Sequence, residues 1–155
     1  MKDKVVIITG AFGGIGKAVA CKFANLGAKL VLWDVIGDNE FISQFTKKET
    51  EIITSKIDIT NQKEIEEGKN YIIEKFGTID VLINNAGITK DKIILRMTEE
   101  EWDEVININL KGAFLCSKII GYVMFLKKKG KIINVASIIG QVGNIGQANY
   151  AASKG

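Results

Sequence analysis

Short apolar runs alternate with segments of helical periodicity along the chain. Five apolar runs predict strands, namely "KVVIITG" (4–10), "AKLVLWD" (28–34), "EIITSKIDIT" (51–60), "DVLINNAG" (80–87) and "GKIINVAS" (130–137). Continuous apolar runs are typical of strands buried on both faces. Helical spacing over residues 14–26, 62–76 and 98–129, with a brief helix near 40–45, fills the intervals between the strands.

Strands that alternate with helices need right-handed crossovers, which produce a parallel sheet. The sequence therefore predicts an α/β fold, a doubly wound Rossmann-type sheet with helices on both faces and the strand order 3-2-1-4-5. In this interpretation residues 1–155 form a single dinucleotide-binding domain. Its ligands should bind beyond the carboxyl ends of the strands, between the first and the fourth.

The longest predicted helix has recognisable ends. Thr98 and Glu101 have the spacing of a capping box, so the helix should begin there. The lysines at positions 127–129 and then Gly130 should end it. Its buried face is expected to carry Trp102, Val105, Ile106, Leu110, Ala113 and Phe114.

The composition excludes several kinds of site. The 155 residues are 46% hydrophobic and 25% charged, as in a globular domain, and the net charge of +3 is too small to suggest a nucleic-acid or membrane partner. There is no histidine, so imidazole catalysis and histidine metal sites are excluded. Cys21 and Cys116 lie far apart in apolar segments, which predicts buried thiols rather than a disulfide or a metal site.

No targeting segment is expected from the hydropathy of the chain. The apolar run "VVII" near the start is too short for the core of a signal peptide. The later run "IIGYVMFL" is too short to span a bilayer. A cytoplasmic protein is therefore expected.

A glycine cluster, "TGAFGGIG", follows the first strand. Gly10, Gly14 and Gly16 form a Gly-x-x-x-Gly-x-Gly pattern. Glycines let the backbone turn sharply and approach an anion, and the N-terminus of the next helix directs N–H groups at it. A tight turn without a ligand is the alternative, but a strand before and a helix after favour dinucleotide binding.

Carboxylates end the second and third strands. Asp34 can accept hydrogen bonds from an adenosine ribose 2′-OH and would repel a 2′-phosphate. Because no basic residue stands in the glycine turn before Lys17 or between Trp33 and Glu40, NAD is favoured over NADP, which stays open as the alternative. Asp58 could accept from the adenine amino group, or equally well cap the next helix.

Polar residues also end the fourth and fifth strands. In "NNAG", Asn84 and Asn85 could hold the strand-end backbone open, and the two small residues after them leave room for a flat ligand. An ordinary polar turn is the alternative. Ser137 ends the fifth strand at the same edge of the sheet, close to the expected position of a nicotinamide.

Tyr150 and Lys154 lie four positions apart, so on a helix they share one face. A phenol is a poor base at neutral pH unless its anion is stabilised, and an adjacent ammonium favours the phenolate. For this pair in isolation, an interfacial tyrosine and a surface lysine would be the simpler interpretation.

Together these motifs resemble the classical short-chain dehydrogenases/reductases. "TGAFGGIG", "NNAG", Asn109, Ser137 and "YAASK" occur in the order and spacing of that family, over essentially the whole chain. Within the family, "NNAGITKDKIILRM", "INLKGAF" and "GNIGQANYAASKG" look most like bacterial 3-oxoacyl-acyl-carrier-protein reductases of fatty-acid biosynthesis. Another alcohol or sugar dehydrogenase, or a non-catalytic dinucleotide-binding module that dimerises, are the alternatives.

The resemblance implies a role for each motif. Tyr150 would transfer a proton to or from the substrate oxygen, and Lys154 would stabilise the phenolate and bind the nicotinamide ribose. Ser137 would hydrogen-bond the carbonyl oxygen. Asn109 would fix a water of a proton relay. Hydride would pass between a nicotinamide cofactor and a small-molecule or carrier-protein-bound carbonyl. The implied cofactor contacts are Gly10, Phe12, Gly13, Gly14, Ile15, Gly16, Asp34, Asp58, Ile59, Asn85, Ala86, Gly87, Tyr150 and Lys154.

Two departures from the resembled reductases change the expectations. They commonly carry a Ser-Arg pair, whose arginine holds the 2′-phosphate of NADP, where this chain has Phe12-Gly13. They also run on for roughly another hundred residues. We therefore expect the chain to be the N-terminal part of a longer domain that forms a homo-oligomer, a tetramer in the full-length family, and we expect the isolated chain to reduce ketones poorly.

Overall fold

A computed structural model describes residues 1–46 and 50–155 of the protein. Its sheet is parallel and contains the strands Val5–Thr9 (β1), Lys29–Asp34 (β2), Ile52–Lys56 (β3), Val81–Asn84 (β4) and Lys131–Asn134 (β5). The strand order is β3-β2-β1-β4-β5, which confirms the predicted topology. Successive crossovers leave β1 in opposite directions along the sheet, so a crevice opens at the carboxyl ends of β1 and β4.

The helices are α1 (Gly14–Asn25), α2 (Asn39–Thr46), α3 (Gln62–Phe76), α4 (Glu99–Ile106), α5 (Ala113–Leu126), α6 (Ile139–Val142) and α7 (Ala148–Lys154). Alternate residues of β1 face opposite sides of the sheet. Val5 and Ile7 belong to the core that contains side chains of α3 and α5, whereas Val6 and Ile8 belong to the core that contains side chains of α1 and α2. The sheet is therefore covered by helices on both faces, as predicted.

The ends of the helices follow the capping residues. Thr98 and Glu101 form the predicted capping box before α4. Gly77, with φ of 69°, ends α3 in the left-handed region, where its N–H donates to the carbonyl of Ile73. The predicted stop at Gly130 is wrong, because α5 ends at Leu126 and the chain turns already at Lys128, whose φ is 51°.

The predicted buried face of the long helix is wrong in large part. Val105 is fully buried, but Leu110 is 50% and Phe114 58% exposed. The helix is apolar on two faces, and the face that packs on the sheet instead carries Cys116 and Ile120, which are completely buried. Periodicity alone could not choose between the two faces, since both are apolar at helical spacing.

A π-helical turn, Asn107–Gly112, separates α4 from α5. Such turns contain one extra residue and occur frequently at functional sites. The sequence pattern predicted neither this turn nor the two short helices Ile94–Arg96 (a 3₁₀ helix) and α6. All three follow the carboxyl end of a strand along the chain, the 3₁₀ helix and the π-helical turn after β4 and α6 after β5.

In the part of the chain that the structure describes, one helix is long and apolar enough to cross a membrane by length and composition. This helix, Glu99–Leu126, has 28 residues, and its most apolar window of 18 residues has a mean hydropathy of 1.3 and is 39% buried. The core helix of a globular protein has the same properties. Because its buried residues pack on the sheet here, its composition does not by itself indicate a membrane span.

Candidate active site

A cleft of about 760 Å³ lies at the carboxyl ends of β1, β2, β3 and β4. Its volume is that of a typical small-molecule site. Among the residues predicted to bind the cofactor, the cleft is lined by Gly10, Phe12, Gly13, Gly14, Ile15, Asp34, Asp58, Ile59, Asn85, Ala86 and Gly87. Gly16, Tyr150 and Lys154, which were also predicted to bind the cofactor, do not line it. The prediction missed the other lining residues, which are Trp33, Val35, Ile36, Ile57, Thr60, Ile88, Glu104, Asn107 and Ile108.

The glycine turn is packed so tightly that two of its glycines cannot carry a side chain. Gly10 has φ of 60°, and a Cβ on it would lie 2.7 Å from the Cα of Ala86. A Cβ on Gly16 would lie 2.8 Å from both the Cα and the carbonyl oxygen of Ala11. Gly16 therefore lies beneath the turn and brings α1 against it, which explains why it does not line the cleft.

The N-terminus of α1 fits an anionic group. A Cβ on Gly14 would meet no heavy atom within 4 Å, so the space in front of the first helical turn is open. Gly13 is the N-cap, and among the described residues no side chain caps this end. The N–H groups of a first helical turn have no partner within the helix, so here they can bind a phosphate.

Asp34, at the end of β2, is held in one orientation by backbone donors. Its Oδ2 accepts a hydrogen bond from the N–H of Phe12 (2.9 Å), and its Oδ1 accepts from the N–H groups of Val35 (2.8 Å) and Ile36 (3.3 Å). The carboxylate therefore lies on the wall of the cleft beside the glycine turn. This is the position at which a ribose hydroxyl could donate to it.

Asp58 does not cap α3. The N-cap is Asn61, whose side chain accepts from the N–H of Lys63 (3.1 Å). Asp58 Oδ1 instead accepts from the N–H and the hydroxyl of Thr60, both at 2.8 Å, which closes a local turn. Asp58 and Ile59 thus stand on the cleft wall after β3, and the capping alternative is wrong.

A hydrogen-bonded bridge joins the ends of β1 and β4. The hydroxyl of Thr9 accepts from the N–H groups of Asn85 and Ala86, both at 3.1 Å. The Asn85 side-chain amide donates to the carbonyls of Thr9 (3.0 Å) and Gly10 (2.9 Å). Thr9 was not singled out by the sequence analysis, although it precedes the glycine cluster directly.

Asn109 is buried in the π-helical turn, and both the oxygen and the nitrogen of its side-chain amide form hydrogen bonds. Its Oδ1 accepts from the N–H of Ile88 (2.8 Å). Its Nδ2 donates to the carbonyl of Ile88 (3.0 Å) and to the hydroxyl of Ser153 (3.0 Å). Asn109 therefore fixes both the loop after "NNAG" and the helix α7.

Two further polar residues, missed in the sequence, position α7. Asn149 is fully buried, and its side chain donates to the carbonyls of Lys90 and Glu101 while it accepts from the N–H of Tyr150 (2.8 Å). The Ser153 hydroxyl donates to the carbonyl of Tyr150 (2.8 Å). The only signal was their place within the "NYAASK" motif.

Lys154 lies just beyond the cleft, in the wall of a neighbouring cavity that Asn109 also lines. A Cβ on Gly87 would lie 3.6 Å from Lys154 Nζ and 3.2 Å from Asn109 Oδ1, so the last lining glycine adjoins both residues. Lys154 Nζ donates to the carbonyl of Val135 (2.8 Å), just after β5. Burial lowers the pKa of Lys154 from its ordinary value.

Ser137 follows β5 closely, in a turn that packs on the end of α7. Its Oγ accepts from the N–H of Ile139 (3.2 Å), and its carbonyl accepts from the N–H of Gly140 (3.0 Å). A Cβ on Gly140 would lie 2.7 Å from the backbone nitrogen of Gly155. Ser137 therefore lies near the end of β5, where Lys154 binds the carbonyl of Val135. Tyr150 lies one helical turn before Lys154 in α7.

Known proteins match this chain over nearly its whole length. The family described as short chain dehydrogenase matches residues 4–155. A 3-oxoacyl-acyl-carrier-protein reductase of Thermotoga maritima is 43% identical, over 99% of this chain and 63% of that protein. A second such reductase, of Synechocystis sp., is 40% identical, over 97% of this chain and 62% of that protein. The crystal structure of levodione reductase superimposes with a TM-score of 0.91 at 35% identity, over 99% of this chain and 62% of that one.

The chain thus spans less than two thirds of the length of the proteins it matches. The match nevertheless includes nearly every residue from the glycine turn to Lys154. On this match, the chain belongs to the short-chain dehydrogenase family.

Proposed function

We propose that the protein is a nicotinamide-dependent oxidoreductase that interconverts a carbonyl and a secondary alcohol. One observation carries the proposal. The cleft that fits a dinucleotide ends at Gly87, where Lys154 Nζ and the Asn109 side chain adjoin it. Lys154 is half-buried and lines a neighbouring cavity together with Asn109 and Ser153. A phosphate cradle with such a lysine directly beside it supports redox chemistry better than binding alone.

In the proposed reaction the cofactor supplies or accepts the hydride. Tyr150 donates a proton to the substrate oxygen or removes one from it. Lys154, whose pKa burial lowers, is one turn away on the same face and stabilises the phenolate. Ser137 hydrogen-bonds the carbonyl oxygen. Asn109 fixes a water that continues the relay, for which the second lone pair of its Oδ1 remains.

The proposed cofactor is NAD. Asp34 places a fixed carboxylate beside the glycine turn, which favours a free ribose 2′-OH and disfavours a 2′-phosphate. Phe12 and Gly13 supply no cation at the turn. Titration of NADH and NADPH against the protein tests this preference, and tighter binding of NADPH would contradict it.

The proposed substrate is a 3-oxoacyl group on an acyl-carrier protein, reduced to the 3-hydroxyacyl form in the cytoplasm. The names of the two bacterial relatives support this substrate class. We also propose a homo-oligomer, because Phe114, Tyr122 and Phe125 are 58%, 62% and 75% exposed along one helix. The same apolar surface favours the second candidate, a non-catalytic module that dimerises.

The variant Tyr150→Phe separates the two candidates. The wild-type chain, whose turnover of an acetoacetyl thioester we expect to be low, sets the baseline. If it is an enzyme, the variant loses about 10²- to 10⁴-fold of that turnover, the usual contribution of a general acid, while NADH affinity is kept. Tyr71→Phe, at a half-exposed tyrosine on α3, is the matched control and should keep full turnover. Unchanged turnover in Tyr150→Phe would refute the proposed catalytic role.

A further inference from the structure

Phe12 belongs to the cleft wall and to the hydrophobic core at once. It lines the cleft, yet it is only 7% exposed and packs in the core between the sheet, α1 and α2. Its N–H donates to Asp34 Oδ2 at 2.9 Å. The position of the Phe12 ring in the core therefore determines where the donor to Asp34 stands.

Two aromatic rings of α2 support the Phe12 ring. The Phe12 and Phe41 centroids are 6.3 Å apart with their planes at 81°, and the Phe41 and Phe45 centroids are 5.0 Å apart at 84°. Such edge-to-face contacts contribute about 0.5–1.5 kcal/mol each beyond the area they bury. Phe41 is the central ring of the row and the one that contacts Phe12.

An ion pair holds Phe41 in place from the surface. Lys17, in the first turns of α1, forms a salt bridge of 2.5 Å with Asp38 Oδ2, and its Nζ lies 5.4 Å from the centroid of Phe41. Asp38 Oδ1 accepts from the N–H of Phe41 at 2.9 Å. The start of α2 is thus fixed to the helix that follows the glycine turn.

We propose that Phe41, held by the Lys17–Asp38 pair, is a positioning residue that sets the Asp34 carboxylate through Phe12 and thereby contributes to the choice of NADH over NADPH. This inference rests on the proposed preference for NAD. If the Phe12 ring shifts, its N–H leaves Asp34 Oδ2. The N–H groups of Val35 and Ile36 then hold the carboxylate through Oδ1 alone, so it is free to rotate about that oxygen. A rotated carboxylate binds a ribose 2′-OH less well and repels a 2′-phosphate less strongly, so the two affinities move in opposite directions.

The test compares Phe41→Leu with Phe23→Leu. Phe23 packs against the same core from α1, so its variant makes the same chemical change without touching the contact with Phe12 described above. We expect the ratio of NADPH to NADH dissociation constants to fall about fivefold in Phe41→Leu, the size of coupling between residues in contact, and to stay constant in Phe23→Leu.

Asp38→Ala is a second variant that leaves the core intact, and it should lower the ratio in the same direction by about threefold. Amide hydrogen exchange gives a readout without cofactor. Exchange of the Phe12 N–H should accelerate in Phe41→Leu and Asp38→Ala, relative to the amides of β1 in the same samples.

The outcomes are distinguishable. A wild-type protein that binds NADPH more tightly overturns the proposed cofactor and the inference with it. A wild-type protein that prefers NADH, combined with an unchanged ratio in Phe41→Leu, overturns the inference alone. A fall of both affinities by the same factor in Phe41→Leu also overturns it, because that is the effect of a purely structural residue.

Discussion

Gly14 and Gly16 stand two positions apart in one glycine cluster, and the structure predicts opposite effects of the same substitution. Gly14 is the first residue of α1, its φ is not positive, and a Cβ there would meet nothing within 4 Å. Alanine at this site restricts the unfolded chain without strain. We expect Gly14→Ala to raise the free energy of unfolding by up to about 1 kcal/mol.

Gly16→Ala should do the reverse. Its Cβ would lie 2.8 Å from two backbone atoms of Ala11, closer than packed atoms tolerate, and backbone atoms cannot rotate away as a side chain can. Relief requires a shift of the turn that also contacts Ala86 through Gly10. We expect a loss of about 2–3 kcal/mol, the cost of overpacking, and a fall in Tm of roughly 5–10 °C.

Cofactor binding distinguishes the two variants further. In Gly14→Ala the new methyl group projects into the open space before the first helical turn, where the N–H groups are free to bind an anion. We therefore expect NADH affinity to fall at least tenfold, about 1.4 kcal/mol, in a protein that is as stable as the wild type or more so.

Urea unfolding followed by circular dichroism measures the stabilities, and calorimetric titration measures the NADH affinity. The Gly14→Ala protein is the control for the Gly16→Ala protein, since both changes add one methyl group to the same turn. A Gly16→Ala variant within 0.5 kcal/mol of the wild type, or a Gly14→Ala variant that unfolds more easily, would refute this packing argument.

Three further predictions concern buried groups. Ser153→Ala removes the acceptor of the buried Asn109 amide and should cost about 1–2 kcal/mol in urea unfolding; an unchanged midpoint would contradict the hydrogen bond. Burial raises the pKa of the Cys116 thiol to about 12, so a disulfide reagent at pH 8 should modify this cysteine only on unfolding. Cys21 is only partly buried, unlike the prediction, so the modified cysteine must be identified by peptide mapping; reaction of Cys116 in the native protein would contradict its burial. Burial raises the pKa of Asp80, but hydrogen bonds from Lys4 and the Val5 N–H outweigh it and lower the pKa overall. The stabilisation by Asp80 should thus be present above its unfolded pKa and be lost as the pH falls through the folded pKa. Asp80→Asn should therefore lower the free energy of unfolding by about 1 kcal/mol at pH 7 and by little at pH 2. The figure allows for the partial exposure of Lys4. An equal cost at both pH values would contradict this.

The sheet could be predicted from the sequence because its signals are local. The residues Val5 to Ile8 of β1 are all buried, and a continuous apolar run of that kind has few alternatives to a central parallel strand. The glycine turn and Asp34 were predictable for the same reason, since each follows a strand end directly. Confirmation of the order 3-2-1-4-5 then places these residues on one cleft.

The contacts that hold α7 could not be predicted, because they join distant segments of the chain. Asn109 drew attention only through the family resemblance, and only the fold brings it to Ile88 and Ser153. Asn149 likewise gains its partners from a loop and from α4. The exposed stripe of Leu110 and Phe114 was misassigned because an apolar pattern does not say which of two faces meets the sheet.

The π-helical turn Asn107–Gly112 makes the length of this helix as important as its composition. Deletion of one residue there would let the segment rewind as regular α-helix, because a π-helical turn holds one residue more than the α-helical turn it replaces. α4 and α5 would keep close to their present faces, but Asn109 would lose the place from which it binds Ile88 and Ser153. The extra residue therefore serves the contacts of Asn109 rather than the packing of Cys116 and Ile120 on the sheet.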